Sequence, residues 1–417
     1  MEHGFLGIAG MQIARYALPF EGGKTPEVAP LASAPMLALG LLASSLIGLR
    51  QSILIVTLAT LGAIATQILD PKLLIGTWLA TMFGAHWINP MRQRSHLLRT
   101  TYYLAAAFFV VSYAFAMLNS FSFQTALLSA GWGVIASVFA LALYWFGLVA
   151  FEKAFNVVSD TTLLELCSPD HPLLLELMTH APGTYAHSVM VGNLAEHAAR
   201  AIGAHPLRCR AMAYYHDVGK MKRPSFFIEN KVGENPHEKL MPALSARIIS
   251  THVKDGLQLA EKYRLPQPIR DAIAEHHGTS LISYFYSRYT KDTGAEDPIL
   301  EQHFRYPGPK PRSKETAILM LADRVEAATR TLPNFNPGRL RTYIQEIVQD
   351  AREDGQLDDS ELTFRDLHTI VDSFVATLSA VWHERIDYTT TTWESIEDET
   401  SDIHRESVGK TPANPNP

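Results

Sequence analysis

The sequence contains little cysteine. Cys167 and Cys209 are the two cysteines in 417 residues, and their wide separation excludes both a zinc knuckle and a disulfide framework. We therefore expect two reduced thiols in a cytosolic compartment, without a part in the chemistry. The first thirty residues also lack the basic start, short apolar core and small-residue cleavage site of a secretory signal. Targeting therefore falls to the hydrophobic segments themselves.

Charge is almost absent from the first third of the chain. Between Leu31 and Phe151 the charged side chains are Arg50, Asp70, Lys72, Arg92, Arg94 and Arg99. From Glu152 onward charges are frequent and apolar residues become periodic. This contrast predicts a membrane region followed by a water-soluble domain. The soluble part has no basic stripe and its tail is acidic, which argues against a nucleic-acid polymer as partner.

Five apolar stretches are long enough to cross a bilayer as helices. They lie at about 31–49, 52–69, 73–89, 101–118 and 125–150. The basic loop at 91–99 favours the cytosolic side, and alternation then places the N-terminal thirty residues outside and everything after Ala150 inside. We therefore predict a multi-pass protein of the cell membrane whose soluble domain is cytosolic. A large soluble protein with very apolar core helices is the alternative.

The chain divides by composition into five segments. We expect a short extracytoplasmic N-terminus (1–30), a transmembrane helical bundle (31–150), a helical linker (151–180), a soluble domain (181–388) and a disordered acidic tail (389–417). Apolar residues at three- and four-residue spacing predict soluble-domain helices at 184–202, 207–218, 240–261, 266–276, 313–331, 336–353 and 361–386. No run alternates as a strand does, so the predicted fold class is all-α. The polar segment 287–312, rich in proline and glycine, is predicted to be a mobile surface loop.

Several histidines and aspartates lie where the helical pattern turns them toward the core. They are His187, His216, Asp217, His252, His276, His277 and Asp323. Burying so many polar groups is too costly unless a shared ion satisfies them. Seven ligands exceed what one ion uses when it must also keep an open position, so two ions are expected. The adjacent His216 and Asp217 suit a bridge, because the carboxylate can reach both ions.

Each of these positions also has a simpler interpretation. A single histidine such as His187 or His252 on an apolar face is more often a hydrogen-bonded core residue than a ligand. Paired histidines at a helix end are often only a favourable cation near the C-terminal dipole. Asp323 has Arg324 or a neighbouring helix end as an alternative partner. The joint occurrence of all seven residues in this order favours the metal site.

The order H…HD…H…HH…D resembles the HD-domain metal-dependent phosphohydrolases, with HDVG where the usual form is HDIG. The membrane-bound HDIG subgroup, the 7TM-HD phosphohydrolases whose members degrade cyclic di-AMP, looks closer still. The segments that carry this likeness are HAPGTYAHSVMVGNLAEHAARAIGA, AYYHDVGKMKRPSFFIEN, NPHEKLMPALSARIISTHVKDG, LPQPIRDAIAEHHGT and LADRVEAATR. In that subgroup a transmembrane bundle directly precedes an all-helical HD domain. The resemblance covers roughly residues 31–385.

The resemblance implies a ligand set for each of two divalent ions. One set is His187, His216, Asp217 and Asp323, and the other is Asp217, His252, His276 and His277. Iron or manganese is implied, and imidazole-plus-carboxylate ligation without thiolate leaves zinc open as well. The implied reaction is hydrolysis of cyclic di-AMP to pApA, with Asp217 as the bridging catalytic residue.

Further substrate contacts are expected near the HD motif. Lys220 lies one helical turn after His216 and is a candidate catalytic and substrate-binding residue, because its ammonium can neutralise a nonbridging phosphate oxygen. A solvated cation at a helix end is the alternative role. Arg223 and Asn230 are weaker candidates for substrate binding. The aromatic candidates for stacking on adenine are Tyr185, Tyr214 and Phe227.

Two departures from the family pattern restrict what the resemblance implies. Family members usually carry a large extracellular domain between a first span and six others, whereas about thirty residues precede the five spans here. Sensing of an outside ligand is therefore in doubt. HHGTS follows the paired histidines in place of the GYP extension of cyclic di-GMP relatives, which shifts the preference away from cyclic di-GMP.

Two other functions stay open from the sequence. The same site could hydrolyse cyclic di-GMP or another nucleotide, or the chain could be a catalytically silent receptor for a cyclic dinucleotide. A silent receptor predicts degraded ligand positions, whereas all seven are filled here. The expected partners are the cyclic dinucleotide and the lipid bilayer. A homodimer formed through the linker or the bundle is compatible with the sequence, and so is a monomer.

Overall fold

The computed structural model describes residues 27–88, 94–155, 157–231, 233–294, 298–330 and 337–383. Within these ranges the chain is helical, and β pairing is confined to one isolated bridge between Leu281 and Arg305. The all-α prediction is therefore confirmed. Most of the predicted N-terminal segment, residues 91–93 of the basic loop and the predicted acidic tail lie outside the described residues.

Five apolar helices occupy the N-terminal region at the predicted positions. They are α1 (Ala34–Ile47), α2 (Leu49–Ala65), α3 (Pro71–Ile88), α4 (Arg94–Leu118) and α5 (Phe123–Phe155). By length and composition, three segments of the described chain are long and apolar enough to cross a membrane: Ala29–Ile47, Leu98–Leu118 and Phe123–Phe155. Helix α2 is apolar but shorter. Five apolar helices form at the predicted positions and three segments meet these criteria, so the number of about five spans stays a prediction.

Small and hydroxyl side chains let the bundle helices approach closely. A Cβ added to Gly40 on α1 would lie 2.0 Å from the side chain of Thr81 on α3, so only glycine fits at this crossing. The Ser52 hydroxyl on α2 donates to the Gly40 carbonyl at 2.8 Å, and the Ser44 hydroxyl on α1 donates to the Ala85 carbonyl at 2.9 Å. Such packing is typical of helices that associate in a membrane.

The second part of the chain is a helical domain with its own core. Its helices are α6 (Asp160–Leu166), α7 (Pro172–His180), α8 (Pro182–Ile202), α9 (Pro206–Tyr215), α10 (Pro242–Lys262), α11 (Gln267–Glu275), α12 (Ser283–Thr293), α13 (Pro298–Glu301), α14 (Lys314–Thr329), α15 (Pro337–Glu353) and α16 (Phe364–His383). Proline at the first or second position starts several of them, where its missing N–H costs no helical hydrogen bond. Leu163 of α6 and Leu174 of α7 are buried in the same core as Leu194 and Ile318. The two helices of the predicted linker therefore pack as part of this domain.

The described part of the segment predicted to be a mobile loop at 287–312 is helical over 287–293 and 298–304. It contains the end of α12, all of α13 and a 3₁₀ turn at Gln302–Phe304. Two backbone hydrogen bonds close its base: Ile282 N–H donates to the Phe304 carbonyl at 2.8 Å, and Tyr306 N–H donates to the Ser280 carbonyl at 3.0 Å. Phe285 and Phe304 are buried together against Ala246. The loop prediction was wrong here because this aromatic cluster outweighs the polar composition.

Candidate metal centre

The HD motif lies at the end of α9, where the helix stops and a tight turn follows. His216 caps the C-terminus of α9, and Asp217 precedes a 3₁₀ turn at Val218–Lys222. A Cβ on Gly219 would lie 1.9 Å from the His252 carbonyl oxygen and 2.5 Å from the Gly256 nitrogen. Only glycine therefore lets this turn press against the backbone of α10. That contact places Asp217 beside His252.

All seven predicted residues meet at one buried centre. Helix α8 supplies His187, α10 supplies His252, the end of α11 supplies His276 and His277, and α14 supplies Asp323. Two groups in the described chain have ligand atoms within 4.8 Å of one another and could each hold a metal ion: Asp217, His252, His276 and His277, and His187, His216, Asp217 and Asp323. These are the two sets that the family resemblance implies.

Asp217 presents one carboxylate oxygen to each group. Its Oδ2 lies 3.1 Å from His216 Nε2 and 3.5 Å from His187 Nε2. Its Oδ1 lies 3.3 Å from His252 Nε2 and 3.7 Å from His276 Nε2. In the first group Asp323 Oδ1 also lies 3.0 Å from His187 Nε2. A carboxylate whose two oxygens face two groups of imidazoles could serve as a ligand in both groups.

Four of the five histidines are held so that Nε2 faces the centre. The Nδ1 atoms of His216, His252 and His276 donate to the backbone carbonyls of Ala213, Ile249 and Ile273 at 2.7, 2.7 and 2.9 Å. A carbonyl oxygen can only accept, so each Nδ1 carries a proton, and in the neutral ring Nε2 keeps its lone pair.

The fourth of these histidines uses a carboxylate instead of a carbonyl. His187 Nδ1 lies 2.6 Å from Glu326 Oε2. A carboxylate behind a histidine fixes its tautomer and increases its basicity as a metal ligand. Glu326 was not predicted from the sequence, although it lies three residues after Asp323 and therefore on the same helix face.

Several polar atoms at the centre are buried without a hydrogen-bond partner. They are Nε2 of His187, Nε2 of His216 and Oδ1 of Asp217. Leaving such atoms unpaired in the interior costs about 1–3 kcal/mol each. One cation in each group would satisfy these atoms, so the residues fit metal ions. Nitrogen and oxygen donors without thiolate suit iron, manganese or zinc.

Burial and opposite charges compete for the protonation of the centre. Burial lowers the pKa of His216, but the charges of Asp217 and Asp323 outweigh it and raise that pKa to about 10. Burial raises the pKa of Asp217, but His216 and Lys220 reverse the effect and hold it well below its usual range. Burial dominates at His252 and lowers its pKa to about 3. Asp217 therefore stays ionised, as a metal ligand must be, whereas His216 has to release a proton before it can bind a cation.

Lys220 lies at the centre rather than in solvent. Its Nζ is 2.7 Å from Asp217 Oδ2 and 2.9 Å from Glu229 Oε1, and it lies 5.1 Å from the centroid of the Phe227 ring. Burial lowers the pKa of this ammonium, but Asp217 and Glu229 more than compensate and raise it. Lys220 is therefore a fixed positive charge beside the bridging carboxylate.

The other two predicted substrate-binding residues have different surroundings. Asn230 Oδ1 accepts from Thr184 N–H at 3.1 Å, and its Nδ2 donates to the Thr184 hydroxyl at 2.7 Å. Its amide is thus tied to the first turn of α8. Arg223 is half exposed and lies 3.6 Å from Asp255 Oδ2. Neither contacts a residue of the two candidate metal groups through these bonds.

The aromatic residues predicted to stack on a base separate into two locations. Phe227 packs edge-on against His252, with ring centroids 5.8 Å apart. Tyr185 and Tyr214 instead pack against the hydrophobic core of the helical domain. A second ring that faces a candidate ligand is that of Tyr306, which stacks on His277 at 4.1 Å. No sequence pattern pointed to Tyr306, or to Glu229 beside Lys220, because tertiary packing alone brings them to the centre.

Comparison with known proteins gives matches in both halves of the chain. A family model described as HD domain matches residues 184–328, and one described as 7TM receptor with intracellular HD hydrolase matches residues 8–159. Cyclic-di-AMP phosphodiesterase PgpH of Bacillus subtilis (strain 168) is 43% identical over 312 residues, which are 73% of this chain and 43% of that protein. Cyclic-di-AMP phosphodiesterase PgpH of Listeria monocytogenes serotype 1/2a (strain 10403S) is 42% identical over 239 residues, which are 57% of this chain and 33% of that protein.

The chain spans less than half the length of both relatives. A crystal structure of the L. monocytogenes PgpH HD domain in complex with cyclic-di-AMP is 42% identical and covers 52% of this chain and 100% of that one, with a TM-score of 0.49. That score is too low to support a common fold by itself. The two family models match in the order in which the fold places the apolar helices and the helical domain. The chain therefore joins an HD domain to the membrane region of the 7TM receptors with intracellular HD hydrolase, and it belongs to that family.

Proposed function

We propose that this chain is a metal-dependent phosphodiesterase that hydrolyses cyclic di-AMP to pApA at the cytosolic face of the cell membrane. The observation that carries the proposal is the position of Asp217, whose two carboxylate oxygens face two different groups of imidazoles. One divalent ion would be held by His187, His216, Asp217 and Asp323. The other would be held by Asp217, His252, His276 and His277.

Two bound ions would supply a water of lowered pKa and offset the negative charge on the phosphoryl oxygens. The protein's part is to hold the ligands still. Asp217 fixes the spacing between the two groups, and the carbonyl-bonded imidazoles cannot rotate away. Because these ligands lie on four different helices and the turn after α9, the packing of the helical domain sets the geometry of the centre.

Lys220 is proposed to bind a nonbridging phosphate oxygen of the substrate. An ammonium has three N–H donors, and Asp217 and Glu229 account for two of them. The third donor is available for the phosphate. Arg223 is proposed to contact the substrate from the rim, since it is half exposed. Asn230 is proposed to act through Thr184, because both ends of its amide bond to that residue.

The substrate is proposed from the two curated relatives. Both are named cyclic-di-AMP phosphodiesterases and are 42–43% identical to this chain. Hydrolysis of cyclic di-GMP or of another nucleotide would use the same centre. A silent cyclic-dinucleotide receptor is disfavoured because all seven candidate ligand positions carry imidazole or carboxylate groups that converge.

The membrane location is proposed from the family match over residues 8–159 and the three apolar segments. The arginines at 92, 94 and 99 favour a cytosolic position for the start of α4. An odd number of spans would then keep the helical domain on the same side. Protease accessibility of the helical domain in inside-out vesicles tests this orientation, and protection there would contradict it.

The decisive experiment measures metal content and product identity on the same preparation. The full chain is purified in detergent, its iron, manganese and zinc are quantified, and equal concentrations of cyclic di-AMP and cyclic di-GMP are supplied together. We expect two ions per chain and release of pApA identified by mass spectrometry. Faster turnover of cyclic di-GMP would replace the substrate assignment, and tight binding without turnover would favour the receptor.

A further inference from the structure

His277 is fixed differently from the other four histidines of the centre. In the described part of the chain, no hydrogen bond involves its ring nitrogens, and its Nδ1 lies 3.8 Å from Asp323 Oδ2, beyond hydrogen-bond distance. Its side chain is 21% exposed, whereas those of His187, His216, His252 and His276 are 5% exposed or less. Something other than a hydrogen bond must therefore orient this ring.

Aromatic contacts surround the His277 ring. The ring of Tyr306 lies nearly parallel to it, with a centroid distance of 4.1 Å and an interplanar angle of 23°. His276 lies 4.0 Å away at 44°, and His252 lies 5.1 Å away at 90°. His276 and His252 are candidate metal ligands themselves. Among the described ring contacts of His277, the one with Tyr306 is made by a residue that is not a candidate ligand.

Tyr306 is itself held in place. Its backbone N–H donates to the Ser280 carbonyl at 3.0 Å, and this bond helps to close the base of the segment that contains α12 and α13. Ser280 N–H in turn donates to the His277 carbonyl at 3.1 Å. The backbone therefore fixes Tyr306 relative to the very residue on which its ring stacks. Rotation of His277 toward solvent would break the stack.

We infer that Tyr306 is a positioning residue that orients His277 by stacking and thereby sets the affinity of the second ligand group for its ion. This inference rests on the proposed function, because it concerns one of the two proposed metal sites. Stacked aromatic pairs change an equilibrium by about 2- to 12-fold. Residues that orient metal ligands change metal affinity by about 10- to 100-fold. We expect the second site to weaken about tenfold when the stack is lost.

The test compares three variants of the full chain in detergent after removal of metal by a chelator. Tyr306→Leu removes the stack, and Tyr306→Phe keeps the ring but not the hydroxyl. Tyr289→Leu is the matched control, because Tyr289 lies in the same segment and packs on Phe304, 5.3 Å between centroids, rather than on a ligand. Mn²⁺ binding is measured by titration calorimetry, and electron paramagnetic resonance reports spin coupling between neighbouring Mn²⁺ ions.

We expect two Mn²⁺ sites in the unmodified chain. Tyr306→Phe and Tyr289→Leu should bind Mn²⁺ at both sites with the same affinities as the unmodified chain. In Tyr306→Leu we expect one site about tenfold weaker and loss of the spin-coupled signal at limiting Mn²⁺. Unchanged sites in Tyr306→Leu would overturn the inference and leave the proposed function intact. An equal loss in Tyr306→Phe, or in Tyr289→Leu, would overturn the role of stacking. An unmodified chain that binds no Mn²⁺, Fe²⁺ or Zn²⁺ would overturn both proposals.

Discussion

In the membrane bundle the Ser52 hydroxyl donates to the Gly40 carbonyl at 2.8 Å, whereas in the HD domain Nε2 of His187 and Nε2 of His216 are buried without a hydrogen-bond partner. Many buried hydroxyls of the bundle bond to a backbone carbonyl of the same or a neighbouring helix, as Thr77 does to Leu73 at 2.8 Å. The bundle thus satisfies many of its buried hydroxyls internally, although the hydroxyls of Ser33 and Ser112 are buried without a hydrogen-bond partner. The buried imidazoles and carboxylates of the HD domain instead point at one another in two groups that could each hold a metal ion. Buried polar groups join helices in the bundle, whereas in the HD domain they form the candidate metal centre.

Replacing Asp217 tests the proposed role of the polar groups in the HD domain most directly. Asp217→Asn keeps the shape but removes the charge shared by both ligand groups. We expect kcat/KM for the cyclic dinucleotide to fall by at least about 10³-fold, or about 4 kcal/mol, with less than one ion bound per chain. Asp271→Asn is the control, because Asp271 bonds to Gln267 on the outside of α11. Undiminished turnover in Asp217→Asn would refute the bridging role.

A pair of glycines compares a tightly packed position of the HD domain with an open position of the bundle. A Cβ on Gly219 would collide with the His252 carbonyl, whereas a Cβ on Gly131 in α5 would meet nothing within 4 Å. We expect Gly219→Ala to destabilise the HD domain by about 3 kcal/mol and Gly131→Ala to change stability by less than about 1 kcal/mol. Hydrogen exchange resolved for α10 and α5 measures both. Equal protection of α10 in the two variants would contradict the close approach.

Neutralising Glu326 tests whether this carboxylate strengthens His187 as a metal ligand without binding the metal itself. Glu326→Gln keeps a hydrogen-bond acceptor for His187 Nδ1 but removes the negative charge behind the imidazole. We expect metal affinity at the first site to fall about 10- to 100-fold, with the second site unchanged. Glu315→Gln on the same helix is the control, because Glu315 accepts from His205 N–H away from the centre. Titration calorimetry with Mn²⁺ measures this, and equal losses in both variants would refute the assignment.

The smallest effect is expected in the bundle. Ser52→Ala removes one hydroxyl whose acceptor, the Gly40 carbonyl, lies on a neighbouring helix. Hydrogen bonds between membrane helices contribute about 0.6 kcal/mol on average, so we expect a loss of that size in denaturant titrations of the detergent-solubilised chain. Metal binding should not change. A loss above about 2 kcal/mol would mean that bundle polarity does more than hold the helices together.

The sequence predicted those site residues that helical periodicity places on a buried face. His187 and His252 could be found because each shares a stripe with apolar residues on its own helix, and His216 and Asp217 because they end such a helix. Tyr306 and Glu229 could not be found, because long-range packing brings them to the centre. Their role in the centre stays a proposal, as does that of the seven predicted ligands.

The least accurate prediction from the sequence concerned the segment at 287–312. Its glycines, prolines and charges indicated a loop, but the fold brings Phe304 onto Phe285 across the closed base. The count of spans depends on a similar balance. Helix α3 contains Lys72 and His86 within 18 residues, which lowers its hydropathy although the helix forms. Composition therefore predicted the apolar helices, but it missed α12 and α13, whose formation depends on tertiary packing.

The closed base of that segment makes its tip replaceable. Because Ile282, Phe304 and Tyr306 are joined to their partners by backbone bonds, the chain from Thr290 to Glu301 can change length at small entropic expense without displacing the stacked pair. A fluorescent peptide or affinity tag inserted there would report on the protein from the segment that carries Tyr306 to the candidate metal centre, and it would leave both chain termini untouched.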